Sequence, residues 1–357
     1  MRTIRVYPPA VRTKAGVVHR VQFDATGREL VAWVEGHPND TDRRMAGVTS
    51  GLYAHDLDAN SSRSLLPDGW FDNWGQNCQS LVVSSDLRFL AAPMEFDEDG
   101  YVWLGDLHTN EWCLDLPLPD YGLGELIFTV DAKELIAVRN ITTGNNVAPD
   151  VARFEMRAFT EPPTQFEEGA KPFRVPVRDL RWERVCALPR GSVTCAAALS
   201  PDGQLFAVGT EDTTVHVVDL KRKRRRVSLP WEERQLRYTA VTRVTFDPPA
   251  EWVVVLASGR LLARRLSARS GAGTAWHTKT TLGNVLDFAF HPTGRFLCAV
   301  CADGQARYLD AHTGTVQQSF KWVKKPKSLY SVAFSPDGLT CAAGSENGQV
   351  VLWDVDA

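Results

Sequence analysis

The sequence predicts an all-β fold of seven repeated units, because an apolar strand followed by a tight turn recurs seven times. The clearest copies read Leu-Ser-Pro-Asp-Gly at 199–203, Phe-His-Pro-Thr-Gly at 290–294 and Phe-Ser-Pro-Asp-Gly at 334–338. Weaker copies begin at Phe23, Val83, Phe128 and Phe246, so successive anchors lie 60, 45, 71, 47, 44 and 44 residues apart. A repeat in the mid-forties with four short strands per unit is typical of β-propeller blades. We therefore expect a seven-bladed β-propeller of four-stranded antiparallel blades.

Each blade is predicted to contain four strands, labelled a to d from the propeller axis outward, and blade seven shows the first three. Strand a ends at Phe334, and the turn at 335–338 combines a proline, which fixes φ, with a glycine that tolerates positive φ. Strand b follows at 340–344 and strand c at 350–354. An acidic residue ends strand c at Asp56, Asp106, Asp219, Asp310 and Asp354, with Glu155 in a looser copy. In blades four, six and seven this residue lies 20 residues after the anchor.

Strand d ends in an apolar residue followed by proline, which is Leu-Pro at 66–67, 116–117, 188–189 and 229–230. Proline is tolerated there because the outermost strand has an unpaired edge. Blade seven lacks such a strand, and Arg5-Val6-Tyr7-Pro8 matches the pattern, so the first strand is predicted to complete the last blade. Counted around a closed circle, the last anchor spacing is 46 residues, close to the regular repeat. We expect one domain over 1–357, with blades at about 17–67, 78–117, 124–189, 193–230, 241–278, 285–322 and 329–357 plus 1–8.

Composition points to an ordinary non-membrane protein. The chain has 357 residues, 44% hydrophobic and 23% charged, with a net charge of −3, which argues against nucleic-acid binding by the whole surface. No targeting segment and no run of about 18 apolar residues is visible. The seven cysteines fall mostly in strand patterns, as small buried residues of a reducing compartment do. A cytoplasmic location is expected.

The Ser-Pro-Asp-Gly turns, the Trp353-Asp354 pair and the blade length resemble the WD40 repeat family over essentially the whole chain. The likeness is specific in blades four, six and seven and degenerate in the others. One feature departs from the family: no blade has the Gly-His pair before strand a, and Gly36-His37 falls in a b–c connection instead. The resemblance implies that d–a and b–c loops lie on one face, the top, with a–b and c–d loops on the bottom. It also implies a non-enzymatic scaffold for a protein or peptide partner.

The d–a loops of the predicted top face are rich in aromatic residues. Such side chains anchor protein interfaces because they bury large areas at a low cost in entropy. The alternative is that the rings fold back and cap the blades. Long b–c connections at 35–50 and 140–150 enlarge the same face. The predicted partner-binding residues are Trp70, Phe71, Trp74, Tyr121, Trp231 and Trp322.

A basic run fills the predicted c–d turn of blade four: Lys221, Arg222, Lys223, Arg224, Arg225 and Arg226. Such a run contacts phosphate or an acidic partner, acts as a nuclear address, or is simply a solvated turn. A second basic stretch, Lys321 with Lys324, Lys325 and Lys327, falls in a d–a loop and hence on the opposite face. The two stretches cannot form one patch, which weakens the alternative of an RNA- or phosphate-binding platform.

Candidate metal and catalytic patterns have plainer interpretations. The acidic stretch at 95–100 followed by Asp106 departs from a calcium loop at both end positions and is expected to be a hairpin turn. Cys298 and Cys301 are three apart on a strand, so their thiols should face opposite sides. No nucleophile elbow, phosphate loop or His-Glu-x-x-His motif occurs. We expect no metal, no cofactor and no catalytic residue. An enzyme with a site at the axis is a remote alternative, and the oligomeric state is left open.

Overall fold

The protein is all-β, with seven antiparallel sheets of four strands each. The computed structural model describes residues 2–5, 16–35, 51–66, 81–96, 99–108, 111–118, 121–143, 146–156, 182–190, 193–231, 240–266, 276–278, 282–321 and 328–355. No helix within these ranges is long and apolar enough to cross a membrane. Each sheet is one predicted blade, and its strands follow one another in sequence order except in blade seven. The seven-bladed β-propeller predicted from the repeat is confirmed.

The strands of the first four blades lie within the predicted repeats. Blade one contains β2 (Val17–Phe23), β3 (Glu29–Glu35), β4 (Gly51–Asp56) and β5 (Ser61–Ser64). Blade two contains β6 (Val82–Val83), β7 (Phe89–Phe96), β8 (Asp99–Asp106) and β9 (Glu111–Leu118). Blade three contains β10 (Tyr121–Phe128), β11 (Glu134–Thr143), β12 (Asn146–Glu155) and β13 (Glu183–Ala187). Blade four contains β14 (Thr194–Leu199), β15 (Leu205–Thr210), β16 (Thr214–Asp219) and β17 (Arg224–Pro230).

Blades five to seven repeat this pattern. Blade five contains β18 (Val241–Phe246), β19 (Trp252–Ala257), β20 (Arg260–Arg265) and β21 (Trp276–His277). Blade six contains β22 (Val285–Phe290), β23 (Phe296–Cys301), β24 (Gln305–Asp310) and β25 (Val316–Lys321). Blade seven contains β26 (Leu329–Phe334), β27 (Thr340–Ser345) and β28 (Gln349–Asp354), and its fourth strand is β1 (Arg2–Arg5).

The closing strand confirms the predicted topology, because the N-terminal strand completes blade seven. β1 pairs with β28 in antiparallel register, with Ile4 opposite Val350. Ile4 is buried and packs with Val18 and Leu352. β1 lies within the predicted segment 1–8, and Arg5 of the expected closing stretch pairs with Gln349. Residues 6–8 lie outside the described part of the chain.

The b strands are the most buried elements, since both of their faces pack against neighbouring sheets. All six residues of β15 are buried, and so are the last five of β27. Leucine, valine and alanine side chains from facing sheets fill the spaces between blades, as with Ala207 and Val253. The residues at 140–150, predicted as an insertion, instead lengthen the β11–β12 hairpin to two strands of ten residues.

Two compact units emerge from the contacts between residues. One comprises Met1–Gln79, Gly259–Leu261 and Trp276–Ala357, and so holds blades one, six and seven. The other comprises Ser80–Ser258 and Leu262–Ala275, and holds blades two to four with most of the first three strands of blade five. The organisation of the whole chain as one domain stays a prediction.

Candidate functional site

The top of a blade is the end where its inner strand begins, and in blades four and seven a backbone hydrogen bond joins this strand start to the b–c turn of the same blade. In blade seven the amide of Glu346 donates to the carbonyl of Ser328 at 3.2 Å. In blade four the amide of Glu211 donates to the carbonyl of Val193 at 3.0 Å. Because both turn and strand start are tied together, side chains at the start of an inner strand are held in fixed positions.

A β-bulge interrupts the inner strand near this end in six blades. In each case the pairing with strand b shifts by one residue, which leaves one residue of the inner strand unpaired. A bulge turns its side chain away from the normal alternation and is often found beside functional sites. The bulged residues are His19, Leu286 and Tyr330 in the first unit, and Gly124, Cys195 and Thr242 in the second.

Two of these bulged residues form an aromatic pair at the tops of blades one and seven. The rings of His19 and Tyr330 lie with centroids 5.7 Å apart in an edge-to-face arrangement. Both side chains are half-buried, so each ring keeps an accessible surface. Next to His19, the guanidinium of Arg20 lies 5.1 Å from the ring centre of the buried Trp33. Two accessible rings beside a cation form a surface that suits protein contacts.

The sequence did not single out His19 or Tyr330, although it holds a signal for the bulge. On an uninterrupted strand, buried residues recur every second position. Here they are three apart, as in Val18–Val21, Val241–Val244, Val285–Phe288 and Leu329–Val332. An extra residue inserted between two buried positions is what a bulge adds to a strand.

The structure describes two of the six aromatic residues that were predicted to bind a partner, Tyr121 and Trp231. Trp70, Phe71, Trp74 and Trp322 lie outside the described residues. Tyr121 is the first residue of β10, and its backbone pairs with Ile141.

Trp231 follows the alternative in which the ring folds back onto its blade. Its side chain is 3% exposed and packs in a core cluster with Val241 and Leu262. The guanidinium of Arg264 lies 5.0 Å from its ring centre, and the amide of Trp231 donates to the carbonyl of Thr213. Trp231 therefore belongs to the core and offers no exposed ring.

The basic run of blade four is exposed along its whole length, from Lys221 to Arg226. Lys221 to Lys223 form the c–d turn, and Arg224 to Arg226 open the outer strand β17, which places the run on the bottom face. Lys223 forms an ion pair with Glu183. Nε of Arg222 lies 3.7 Å from Oδ2 of Asp219. Part of the charge of the run is thus matched by neighbouring carboxylates.

A cleft of about 730 Å³ opens beside this run, between the bottom turns of blades four and five. Three basic side chains line it together with two carboxylates, so its charge is mixed: Lys221, Arg222, Arg226, Asp202 and Asp219. Asp202 accepts hydrogen bonds from the hydroxyl of Ser200 and the amide of Gln204, at 2.5 and 3.1 Å. The cleft can accept an acidic group, but it is not a dedicated phosphate cradle.

The buried histidines have structural partners. Nδ1 of His55 lies 2.8 Å from the hydroxyl of Ser62, and Nδ1 of His216 lies 2.9 Å from that of Ser228. Burial lowers the pKa of His216 to about 4, and the nearby Arg225 adds to the effect, so the ring is neutral at neutral pH. Each of these contacts joins strand c to strand d of its blade.

The thiols of Cys195 and Cys301 are poor nucleophiles. Burial raises the pKa of Cys195 and that of Cys301 to about 11, so neither forms a thiolate readily. As predicted, Cys298 and Cys301 point in different directions: Cys298 packs against blade seven, and the Cys301 thiol lies 3.9 Å from the carbonyl of Leu282. No cluster of three His, Cys, Asp or Glu side chains that could hold a metal ion is found in the described ranges.

Two protein-family models match parts of the chain. The model described as Anaphase-promoting complex subunit 4 WD40 domain matches residues 252–329. The model described as WD domain, G-beta repeat matches residues 183–219 and 312–354. The matched stretches lie between the end of blade three and blade seven, and residues 220–251 fall in neither match.

Curated relatives share about half of this chain. Telomerase protein component 1 of Mus musculus is 28% identical over 192 residues, which are 50% of this chain and 6% of that protein. Its counterpart in Rattus norvegicus is 26% identical over 178 residues, again 50% of this chain and 6% of that protein. Cleavage stimulation factor subunit 50 of Arabidopsis thaliana is 25% identical over 174 residues, 46% of this chain and 40% of that protein. The chain thus spans only a small part of the telomerase proteins that it matches.

A solved structure matches the whole fold. The β-propeller domain of Cps50 (Swd1) from Myceliophteria thermophila has a TM-score of 0.63 to this chain at 15% sequence identity. The match covers 99% of this chain and 98% of that one. At this level of identity the likeness establishes the architecture alone.

Proposed function

Because the chain belongs to the WD40-repeat family of β-propellers, we propose that it is a non-enzymatic scaffold that binds a protein or peptide partner. The named relatives include a component of telomerase and a subunit of a cleavage stimulation factor, and a role in a protein assembly is carried over from them as part of the proposal. A cytoplasmic location belongs to the same proposal.

The contact surface is proposed to lie on the top face, and the aromatic pair of His19 and Tyr330 is the observation that carries this. Both residues occupy bulges, and both keep accessible ring surface. Rigid aromatic side chains bind partners with little loss of conformational entropy. The aromatic loop residues Trp70, Phe71, Trp74 and Trp322 precede inner strands in the sequence, so they are proposed to extend the same surface.

Affinity capture followed by quantitative mass spectrometry tests this proposal. Replacing His19 and Tyr330 together by alanine should reduce capture of specific partners by roughly tenfold or more, as the loss of interface anchors does. The Trp70→Ala, Trp74→Ala double variant should have a similar effect. Leu339→Ala is the matched control, because Leu339 is an apolar residue that is 59% exposed in the bottom a–b turn of blade seven. Undiminished capture by a folded His19→Ala, Tyr330→Ala variant would refute the assignment.

A second candidate is an acidic or phosphate-bearing partner, which the exposed basic run and its cleft favour. Its binding would weaken steeply with added salt, whereas contacts between aromatic rings would change little. A salt titration of the captured complex therefore distinguishes the two surfaces.

A further inference from the structure

The outermost strands of the blades differ in how their free edges are protected. Exposed edges invite pairing with other chains, and proteins block them with short strands, prolines or charges. Among the strands described, β1 and β5 have four residues and β21 has two. Pro117 and Pro230 lie in β9 and β17, and Glu183 of β13 is tied into ion pairs. β25 has six residues and no proline, and its one charge is at the last position, Lys321.

β25 exposes its side chains as well as its edge. The sheet order of blade six ends at β25, and no described strand pairs with its outer side. Residues from Val316 to Ser319 are exposed, and Val316 is 46% exposed despite its apolar side chain. Phe320 anchors the strand, because its ring packs edge-to-face on Tyr308 with centroids 4.9 Å apart. The strand is thus anchored by Phe320, and its outer side is unpaired among the described strands.

A cleft of about 420 Å³ lies along one face of this strand, between the outer parts of blades five and six. Val316 and Ser319 of β25 line it, together with His277 and Thr278 from the end of blade five. Both lining residues of β25 face blade five, because the bulge at Gln317 shifts the alternation between them. A strand added to β25 would direct every second side chain to this face.

The cleft favours an uncharged occupant. The guanidinium of Arg307 on its wall is bound to both carboxylate oxygens of Asp303, at 2.5 and 3.2 Å, so its charge is already matched. The hydroxyls of Thr313 and Thr315 bond to each other at 2.8 Å.

We propose that the outer edge of β25 binds an extended, uncharged segment of a partner protein by adding it as a fifth strand of blade six. Main-chain hydrogen bonds would supply the affinity, and the cleft would select small uncharged side chains at alternate positions. A second copy of this chain fits less well, since two antiparallel β25 edges would place Lys321 of one copy beside Val316 of the other. This surface is separate from the aromatic pair and does not depend on it.

Direct binding of a labelled probe peptide tests the proposal. The probe is about eight alternating valine and threonine residues, one strand in length, flanked by serines. Its matched control is N-methylated at every second residue and so cannot donate hydrogen bonds along one edge. Fluorescence anisotropy with the full chain should show binding of the probe and not of the methylated control.

Two variants with the same change of charge locate the site. Ser319→Lys should weaken probe binding by roughly tenfold, because it places a cation on the cleft face of the edge. Ser61→Lys makes the same substitution at an exposed position of the outer strand β5 and should leave binding unchanged. The His19→Ala, Tyr330→Ala variant should also bind the probe normally, so failure here and failure of the proposed function are distinguishable.

Three outcomes would overturn the proposal. They are no binding of the probe at about 1 mM, equal binding of the methylated control, and equal binding by Ser319→Lys. A concentration-dependent dimer in sedimentation velocity that Ser319→Lys abolishes would assign the edge to a second copy instead.

Discussion

At the scale of single residues, the recurring aspartate at the end of strand c holds the turn that follows it. Oδ1 of Asp56 accepts hydrogen bonds from the amides of Asp58 and Ala59, at 2.9 and 2.7 Å. Oδ1 of Asp310 accepts them from the amides of His312 and Thr313, at 3.0 and 2.9 Å. A short acceptor that bonds its own backbone two or three residues onward is what such turns favour.

The a–b turns use a hydroxyl in a similar way. The hydroxyl of Ser335 donates to Oδ1 of Asp337 at 2.5 Å and accepts from the amide of Thr340 at 2.9 Å. Ser200 makes the equivalent bonds to Asp202 and Leu205 in blade four. The Ser-Pro-Asp-Gly sequence is thus explained by bonds within each turn.

The glycine of this turn gives a matched pair of variants. Gly203 and Gly338 both have positive φ, at 69° and 75°. A Cβ at 203 would meet nothing within 4 Å, whereas a Cβ at 338 would lie 2.5 Å from Nε2 of His291. We expect Gly203→Ala to lower the free energy of unfolding by about 1 kcal/mol, from backbone strain alone. Gly338→Ala should cost about 1–3 kcal/mol more, because His291 must move.

Chemical denaturation of both variants measures the difference. Nε2 of His291 now lies 3.1 Å from the carbonyl of Gly338, and this contact would be lost. Equal costs for the two variants would mean that His291 adjusts freely and that its contact with the turn adds no stability.

At the scale of elements, β1 completes blade seven and contributes the buried side chain of Ile4. Ile4 is 4% exposed within the core formed with Val18, Val350 and Leu352. The sequence predicted this topology because the repeat spacing closes on itself, whereas the position of the strand depends on which apolar side chain reaches the core. Spacing alone does not carry that information.

Replacing Ile4 by alanine should therefore destabilise the protein by about 2–4 kcal/mol, as the loss of a buried isoleucine side chain does. Deleting residues 1–10 should lower the melting temperature further, since the outer strand of blade seven would be absent. Differential scanning calorimetry gives both values.

The control for Ile4→Ala is Val316→Ala, a truncation of an exposed apolar residue on another outer strand. It should change stability by less than about 0.5 kcal/mol. An unchanged melting temperature after deletion of 1–10 would contradict the role assigned to β1.

The candidate site could be predicted from the sequence only in part. The assignment of loops to faces followed from the resemblance to WD40 repeats, and the basic run was visible as a stretch of like charges. Trp231 was misleading, because a tryptophan in a connecting segment can pack inward when a neighbouring blade leaves room, here beside Val241 and Leu262. His19 and Tyr330 were missed, because a bulge is a property of the pairing between two strands.

At the scale of the whole molecule, both units carry turn carboxylates whose charged form the fold favours. Burial of Asp310 acts to raise its pKa, but hydrogen bonds from Thr313 and the backbone outweigh it and lower the pKa. For Asp337 the hydrogen bond from Ser335 is the main cause of a lowered pKa. Further aspartates with a lowered pKa are Asp131, Asp212 and Asp303.

The free energy of unfolding should therefore fall over two successive ranges of pH as acid is added. His216 has a pKa of about 4 in the fold against 6.5 unfolded, so the unfolded state takes up its proton first and stability falls between these values. These aspartates stay deprotonated in the fold to a lower pH than when unfolded, so a further loss of stability follows as the pH falls below 3.8, the ordinary pKa of an aspartate. Urea denaturation from about pH 7 to about pH 3 follows both stages.

His216→Gln separates the two stages. The variant should reduce the fall in the free energy of unfolding between pH 6.5 and 4, where the histidine takes up its proton. The fall at lower pH should be unchanged. A steep decline that persists in this variant would show that another group titrates there.

The bulges at the tops of the inner strands have an evolutionary consequence. One additional residue shifts the alternation of side chains between the two faces of the sheet, so buried apolar residues have even numbers on one side of the bulge and odd numbers on the other. Substitutions at the top of a blade then leave the pattern of buried positions below the bulge unchanged. The six blades with a bulge can therefore vary the residues at their tops while the buried positions below keep the same pattern.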